Sequence, residues 1–337
     1  MTHVRAVHAT SPEDLLALVP SLLGFHPEDS LVVLTVGLAG EPVHARVDLP
    51  RDPREVDGLA AHLTGVAVRN GVTHVAVVAY TDDAPLARTV VEALLARLHG
   101  ESVALVCSVR ADGERWWAMA VGGDTDAPGT RYDVRSHPLM VAAVVEGAVV
   151  LGSRQELAAS LEVGDAAEAR VISAHADAVV ARLRHAATRS GEVGAARRLL
   201  GGESRWVAHR VRRFLDDGER LDGRDVARLV ALMALSYGIR DVAWAEISRT
   251  NAVRHVDLWR DVVRRAPASL RAAPASLLGF AAWQSGNGAL AWCAVECAQE
   301  AEPGYSMAGL LTQVLAGGLP PSAWRPPPRT GSTLPAD

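Results

Sequence analysis

The residue types best suited to catalysis lie just before a predicted strand near the start of the chain. His26, Asp29 and Ser30 stand close together, and Asp48 ends the next predicted strand. An imidazole beside carboxylates can act as a general base, activate a hydroxyl or bind a metal ion. The same side chains could instead form only the turn before the strand, with the imidazole bonded to a backbone carbonyl. The sequence therefore predicts these four residues as catalytic candidates and leaves a structural role open.

A second polar group follows the predicted buried strand HVAVVAY. Asp82 and Asp83 come directly after Tyr80 and Thr81, and Arg110 stands at the matching end of the next apolar strand. Ligands of open α/β sheets bind at the carboxyl ends of the strands. We therefore expect Asp82 to join the catalytic candidates, and Tyr80, Asp83 and Arg110 to bind a ligand. Alternatively, the acids only cap the following helix.

A third candidate is an arginine-rich segment, residues 178–215, with nine Arg against two acids and a net charge of +7. Arg205, Arg212 and Arg213 would line one face of a helix there. Such a face could meet phosphates or an acidic partner, or it could pair with the acidic half of the same chain. Because the whole chain carries a net charge of −5, nucleic acid is not the expected partner. A protein partner or a homo-oligomer is expected instead.

Composition excludes several enzyme classes. All 34 basic residues are Arg, so no lysine exists for a pyridoxal phosphate Schiff base or a phosphate-loop NTPase. No glycine-rich phosphate loop, nucleophile elbow or paired-cysteine metal motif occurs. The sequence therefore predicts no metal site and names no cofactor. The three cysteines are sparse, which indicates reduced thiols, and the start of the chain lacks an apolar signal core. We expect a cytoplasmic protein that does not enter a membrane.

The first candidates depend on a helix and a strand that flank them. Ser11 is the expected N-cap of a helix with Pro12 in its first turn, and leucines and valines recur at helical spacing until Gly24. The apolar strand 30–36 follows. This helix–turn–strand unit would hold His26 and Asp29 just before the start of a buried strand.

The rest of the chain divides into two patterns. Strands at 30–36, 44–49, 74–80, 103–109 and 115–121 alternate with helices, and the order of 74–109 predicts a parallel βαβ unit. After residue 139 only helical patterns remain. We predict an α/β domain over 1–137 with a mixed or mostly parallel sheet, an all-α domain of antiparallel, tetratricopeptide-like helix pairs over 138–319, and an extended or disordered tail over 320–337. Residues 1–150 carry a net charge of −8 and residues 151–337 carry +3, which supports two parts.

Two motifs resemble a known family. The run L-L-G-F-H-P-E-D-S-L-V-V-L near residue 25, and Ser285 to Trp292 leading into Pro303-Gly304-Tyr305, are similar to the actinobacterial domain-of-unknown-function 4192 family. The resemblance extends over about residues 9 to 325. Asn287 stands where the family pattern leads us to expect an acid. The resemblance implies an actinobacterial protein and supplies no activity, cofactor or catalytic residue.

Three functions stay open from sequence. The first is a non-enzymatic interaction or regulatory protein, favoured by the helix pairs, the opposite charges of the two halves and the lack of a complete catalytic motif. The second is a hydrolase or metal-assisted enzyme with its site at the edge of the N-terminal sheet. The third is nucleic-acid binding through the arginine-rich segment.

Overall fold

The structure, a computed structural model, describes residues 9–36, 43–119, 128–190 and 193–325, with side chains left out at 190 and 193–197. Within these ranges an α/β region precedes a helical region. None of the described helices combines the length and the apolar character that crossing a bilayer requires.

Within the described residues, six strands form one mixed sheet in the order β2-β1-β3-β4-β5-β6. Only β3 and β4 pair in parallel; the other neighbours are antiparallel. The predicted βαβ unit is therefore confirmed, and the sheet is mixed. The strands are β1 (Ser30–Thr35), β2 (Ala45–Asp48), β3 (His74–Tyr80), β4 (Ala104–Ala111), β5 (Arg115–Ala118) and β6 (Thr130–Arg131).

Helices cover both faces of the sheet because its central strands are apolar on both sides. Alternate residues such as Leu31 and Val77 pack under α2 (Val56–Arg69) and α3 (Ala84–Gly100). The intervening residues, among them Val32, Val78 and Tyr80, pack under α1 (Pro12–Leu23). Because successive side chains of a strand point to opposite faces of the sheet, each face has its own hydrophobic core.

The first helix begins and ends as its sequence predicts. The Ser11 hydroxyl accepts a hydrogen bond from the Asp14 N–H at 3.1 Å, and the Asp14 carboxylate accepts from the Ser11 N–H at 3.1 Å. These two bonds form a capping box. Gly24 ends the helix in the left-handed region, with φ of 79°, where a side chain would be strained.

The helical region begins at Pro138 and has its own hydrophobic core, with Trp259, Leu229 and Met233 fully buried. Between α11 and α12, Gly279 faces Ala291 and Val295, so the two helices pack closely. The helices are α4 (Pro138–Val145), α5 (Arg154–Ala159), α6 (Ala166–Ser190), α7 (Val193–Asp217), α8 (Gly223–Leu235), α9 (Tyr237–Trp244), α10 (Ala252–Arg265), α11 (Ala272–Gln284), α12 (Gly288–Ala301) and α13 (Ser306–Ala316).

Some elements differ from the sequence expectation. The sequence pattern predicts a helix over about 204–216, but α7 begins at Val193, since Gly201 and Gly202 are helical and do not end it. The turn-rich stretch 122–138 predicts a loop, and the short strand β6 lies inside it. The domain boundary and the tetratricopeptide-like label stay predictions. Of the expected tail, residues 320–325 are described, and Trp324 packs against Trp244 and Phe280; residues 326–337 lie outside the described ranges.

Candidate functional site at the sheet edge

The strand register gathers several of the predicted residues at one edge of the sheet. Ser30, at the start of β1, pairs with Asp48 on β2 and with Tyr80 on β3. Tyr80 in turn pairs with Ala111 on β4. The start of β1 and the ends of β2, β3 and β4 therefore form one line. The acids that follow β3 lie at this edge because the chain leaves the sheet there.

Asp29 and Thr81 link two neighbouring turns at this edge. The Thr81 hydroxyl donates to an Asp29 carboxylate oxygen at 3.1 Å, and it accepts from the Asp83 N–H at 3.2 Å. Asp29 has φ of 40°, in the left-handed region, while its carbonyl accepts from the Leu49 N–H at 2.8 Å. This conformation costs an L-residue about 1 kcal/mol or more. The contacts of Asp29 thus fix the turn that leads into β1.

Asp83 has the ordinary role that the sequence left open. Its carboxylate caps α3 by accepting a hydrogen bond from the Leu86 N–H at 2.9 Å. Asp82 is exposed. Burial lowers the pKa of the Arg110 guanidinium, and the charges of Asp112 and Asp82 oppose this effect. The charge of Asp82 thus acts on Arg110, and the ligand site expected from the two residues stays a prediction.

The Ser30 hydroxyl is held by hydrogen bonds on both sides. It is fully buried, donates to the Glu28 carbonyl, and accepts from Nη2 of Arg46 at 2.6 Å. The other terminal nitrogen of Arg46 forms an ion pair with Asp48 at 2.7 Å. Two of the predicted catalytic residues thus bind one guanidinium. Arg46 was not among the candidates, although it stands two residues before Asp48 on the same face of β2.

Arg46 also lies at the contact between the sheet and the helical region. Its guanidinium carbon lies 5.8 Å from the centre of the Phe25 ring. Burial lowers the pKa of Arg46; Asp48 opposes this effect, and the nearby charge of Arg154 adds to it. Arg154, at the start of α5, forms an ion pair with Glu296 on α12. Two ion pairs, Arg46–Asp48 and Arg154–Glu296, therefore lie close to each other where the sheet meets the helical region.

The charges of Arg154 and Arg46 act on Cys293 of α12, but this residue is not an activated thiol. Burial raises its pKa to about 11, which Arg154 only partly offsets. Its exposed fraction is 2%. Because the thiolate is the nucleophilic form, this thiol stays protonated and unreactive near neutral pH.

His26 is half-buried, and the charge that acts on its ring is positive. Burial lowers the pKa of the imidazole, and the guanidinium of Arg135 lowers it further. The ring is therefore neutral near pH 7. The backbone N–H of His26 donates to the Leu151 carbonyl at 3.0 Å. This hydrogen bond ties the turn to the segment between α4 and α5.

The neighbouring Phe25 inserts into the helical region. It is 1% exposed and belongs to the helical core, although the chain places it between α1 and β1. Phe25 and Leu151 form an isolated parallel bridge, and the Leu151 N–H donates to the Gly24 carbonyl at 2.8 Å. The turn after α1 thus joins the two regions.

The predicted ligand-binding residues Tyr80 and Arg110 face opposite sides of the sheet. Tyr80 points into the core under α1, is 5% exposed, and its hydroxyl has no hydrogen-bond partner among the described residues. Burial raises its pKa well above the usual value. Arg110 pairs with Ala79, on the other face, donates to the Thr81 carbonyl at 3.1 Å, and stacks 3.7 Å from the ring centre of Trp117. They cannot hold one ligand between their side chains.

The three arginines predicted for an interaction face differ in their surroundings. Arg212 forms a bidentate ion pair with Glu246, with Nε–Oε2 and Nη2–Oε1 distances of 3.0 and 2.6 Å. Arg213 pairs with Glu219 at 2.6 Å. Arg205 is exposed and has no ion pair within the described ranges. Two of the three charges are thus already balanced inside the chain.

The described part of the chain holds no group of three or more His, Cys, Asp or Glu side chains arranged to bind a metal ion. The acids at the sheet edge instead contact threonine, arginine and backbone donors.

A comparison with known protein families identifies the family to which the chain belongs. The family model described as "Domain of unknown function (DUF4192)" matches residues 12–322. The chain belongs to this family. The matched range starts in α1 and ends in the 3-10 turn Pro321–Ala323, so it covers both the sheet and the helices. Neither the curated proteins nor the solved structures contain a match.

The family's description names no activity, so no residue role is carried over to this chain. Asn287, which stands where the family pattern leads us to expect an acid, has a structural role. Its side-chain oxygen caps α12 by accepting from the Leu290 N–H at 2.9 Å. Asn and Asp are about equally good N-caps, so either residue would serve this purpose.

Proposed function

We propose that this protein acts by binding protein surfaces and does not catalyse a reaction. The observation that supports this proposal is helix α4, with the sequence PLMVAAVV. Val141, Val144 and Val145 on this helix are 48, 54 and 81% exposed, and Val149 just after it is 73% exposed. Contiguous apolar surface of this kind marks interaction sites on soluble proteins.

The exposed valines are not needed to fold the helix. Met140 is the buried residue of α4, and the helix packs against α1. A helix on a protein surface needs only one apolar stripe, toward the core, and is polar on the other side. Helix α4 is apolar all round. Its outward side is therefore available to a partner.

The occupant proposed for this surface is a second copy of the chain. No residue of α4 is charged, so the helix offers nothing to select a charged partner. Its small Val and Ala side chains form a ridge that can meet the same ridge across a two-fold axis. Fully burying one valine contributes about 1.5–3 kcal/mol. Since association costs roughly 4–15 kcal/mol, the proposal predicts a weak dimer.

A catalytic function has less support from the sheet edge. The Ser30 hydroxyl is engaged by the Glu28 carbonyl and Arg46, so it is not poised as a nucleophile. His26 lies under the influence of a cation rather than of a carboxylate. The arrangement favours an edge that holds the two regions together.

Sedimentation velocity across the micromolar range tests the proposal. We expect the wild-type chain to shift from monomer to dimer with rising concentration. A variant with Val144→Ser, Val145→Ser and Val149→Ser should stay monomeric. The matched control is Val253→Ser, since Val253 is 64% exposed on α10, away from α4. A wild-type chain that is monomeric throughout, or a triple variant that dimerises like the wild type, would refute the proposal.

A further inference from the structure

A surface groove lies between α7 and α9, with a volume of about 450 Å³. Ala208 on α7 and Val242 on α9 give it apolar walls. Arg205, His209 and Arg212 lie along the α7 side. Arg205 and Arg212 are seven residues apart, which places them about 10.5 Å from each other along the helix axis. The groove thus has an apolar centre with a guanidinium at each end.

The charges at the two ends are not equally compensated. Glu246 holds Arg212 through two of its nitrogens, and the Glu246 side chain is only 13% exposed. Nη1 of Arg212 takes no part in this pair and can still donate. Arg205, at the other end, has no ion pair within the described ranges. The groove therefore offers the uncompensated charge of Arg205 and, from the compensated Arg212, the donor Nη1.

We infer that this groove binds an acidic peptide segment of a partner protein, an inference that rests on the proposed interaction function. Carboxylates match guanidinium donors in charge and in planar geometry. Two acids about 10 Å apart would reach the two arginines, which corresponds to three residues in an extended segment. An apolar residue between them would contact Ala208 and Val242. The expected segment thus carries two acids three positions apart, with an apolar residue between them.

A peptide selection on the full chain tests this inference without knowledge of the natural partner. A random 16-residue peptide library displayed on phage is selected on immobilised wild-type protein, and the recovered clones are then tested on two variants. Arg205→Glu reverses the free charge of the groove. Arg88→Glu is the matched control, because Arg88 is exposed on α3 and far from the groove in the chain.

The expected result is enrichment of peptides with two acids flanking an apolar residue. Their synthetic forms should bind the wild type and Arg88→Glu alike, and bind Arg205→Glu at least tenfold more weakly by fluorescence anisotropy. Ala208→Trp, which fills the groove, should also abolish binding while circular dichroism shows an unchanged helix content. Selected peptides that lack this pattern, or that bind Arg205→Glu as well as the wild type, would overturn the inference.

Two further arms separate this inference from its alternatives. Binding of a 20-base-pair DNA duplex that requires Arg205 would assign the groove to nucleic acid and overturn the peptide inference. The α4 variants are assayed on the same preparations by sedimentation. If dimerisation through α4 is found and no acidic peptide is selected, the groove inference alone fails. If the chain stays monomeric but binds acidic peptides through Arg205, the α4 dimer fails instead.

Discussion

The contact between Phe25 and the helical core gives the most decisive test of how the chain holds together. Phe25→Ala removes a ring that is 1% exposed in a core made almost entirely of residues beyond position 150. Phe→Ala changes in cores cost about 3–5 kcal/mol through lost transfer energy and the cavity that remains. The guanidinium of Arg46 over the same ring adds about 0.5–2 kcal/mol.

We therefore expect Phe25→Ala to lower the free energy of unfolding by about 4 kcal/mol, a large part of the roughly 5–15 kcal/mol typical of folded proteins. Urea titration followed by tryptophan fluorescence measures this change, because most tryptophans lie in the helical region. Leu22→Ala is the control within the same segment, since Leu22 is 36% exposed and should cost little. A loss below about 1 kcal/mol in Phe25→Ala would refute the reasoning, because Phe→Ala changes in cores typically cost about 3–5 kcal/mol.

Two further predictions concern buried polar groups. Tyr80→Phe removes a buried hydroxyl that lacks a hydrogen-bond partner among the described residues. Urea titration should therefore show an unchanged or higher free energy of unfolding. A loss above about 1 kcal/mol would mean that the hydroxyl forms a hydrogen bond. Burial lowers the pKa of His255 to about 4 from 6.5, so the unfolded chain binds a proton first as the pH falls. Stability should therefore decline from pH 6.5 towards 4, by up to about 3 kcal/mol, and His255→Gln should reduce that slope; an unchanged slope in this variant would contradict the assignment.

Burial favours the neutral form of His255, and the hydrogen bonds of its ring are compatible with that form. Nδ1 accepts from Nε1 of Trp259 at 3.2 Å, and Nε2 faces the Glu246 carbonyl at 3.1 Å. An imidazole with its proton on Nε2 satisfies both contacts. A second proton, on Nδ1, would meet the indole N–H. The same side chain thus helps to hold Glu246, whose carboxylate binds Arg212 beside the groove.

Most helices and strands could be predicted because their signals are local. Ser11, Asp14 and Gly24 set the ends of α1 through contacts within four residues. The apolar run of β3 predicted a buried strand, and α3 between two such strands predicted a parallel pair. Helix α7 was the exception, because its first part, up to Gly201 and Gly202, was not predicted to be helical. A long amphipathic helix that packs on its neighbours tolerates two glycines at a cost of about 1 kcal/mol each.

The sequence by itself determined the mixed α/β and helical classes, the order of the elements and the family, because hydrophobic periodicity, capping residues and short motifs are written along the chain. Only the tertiary structure decided what the candidate residues do. In the folded chain Arg46 binds Ser30 and Asp48, Thr81 donates a hydrogen bond to Asp29, and Phe25 packs in the helical core. These contacts connect residues far apart in the chain, so their energies depend on packing and strand register rather than on local spacing.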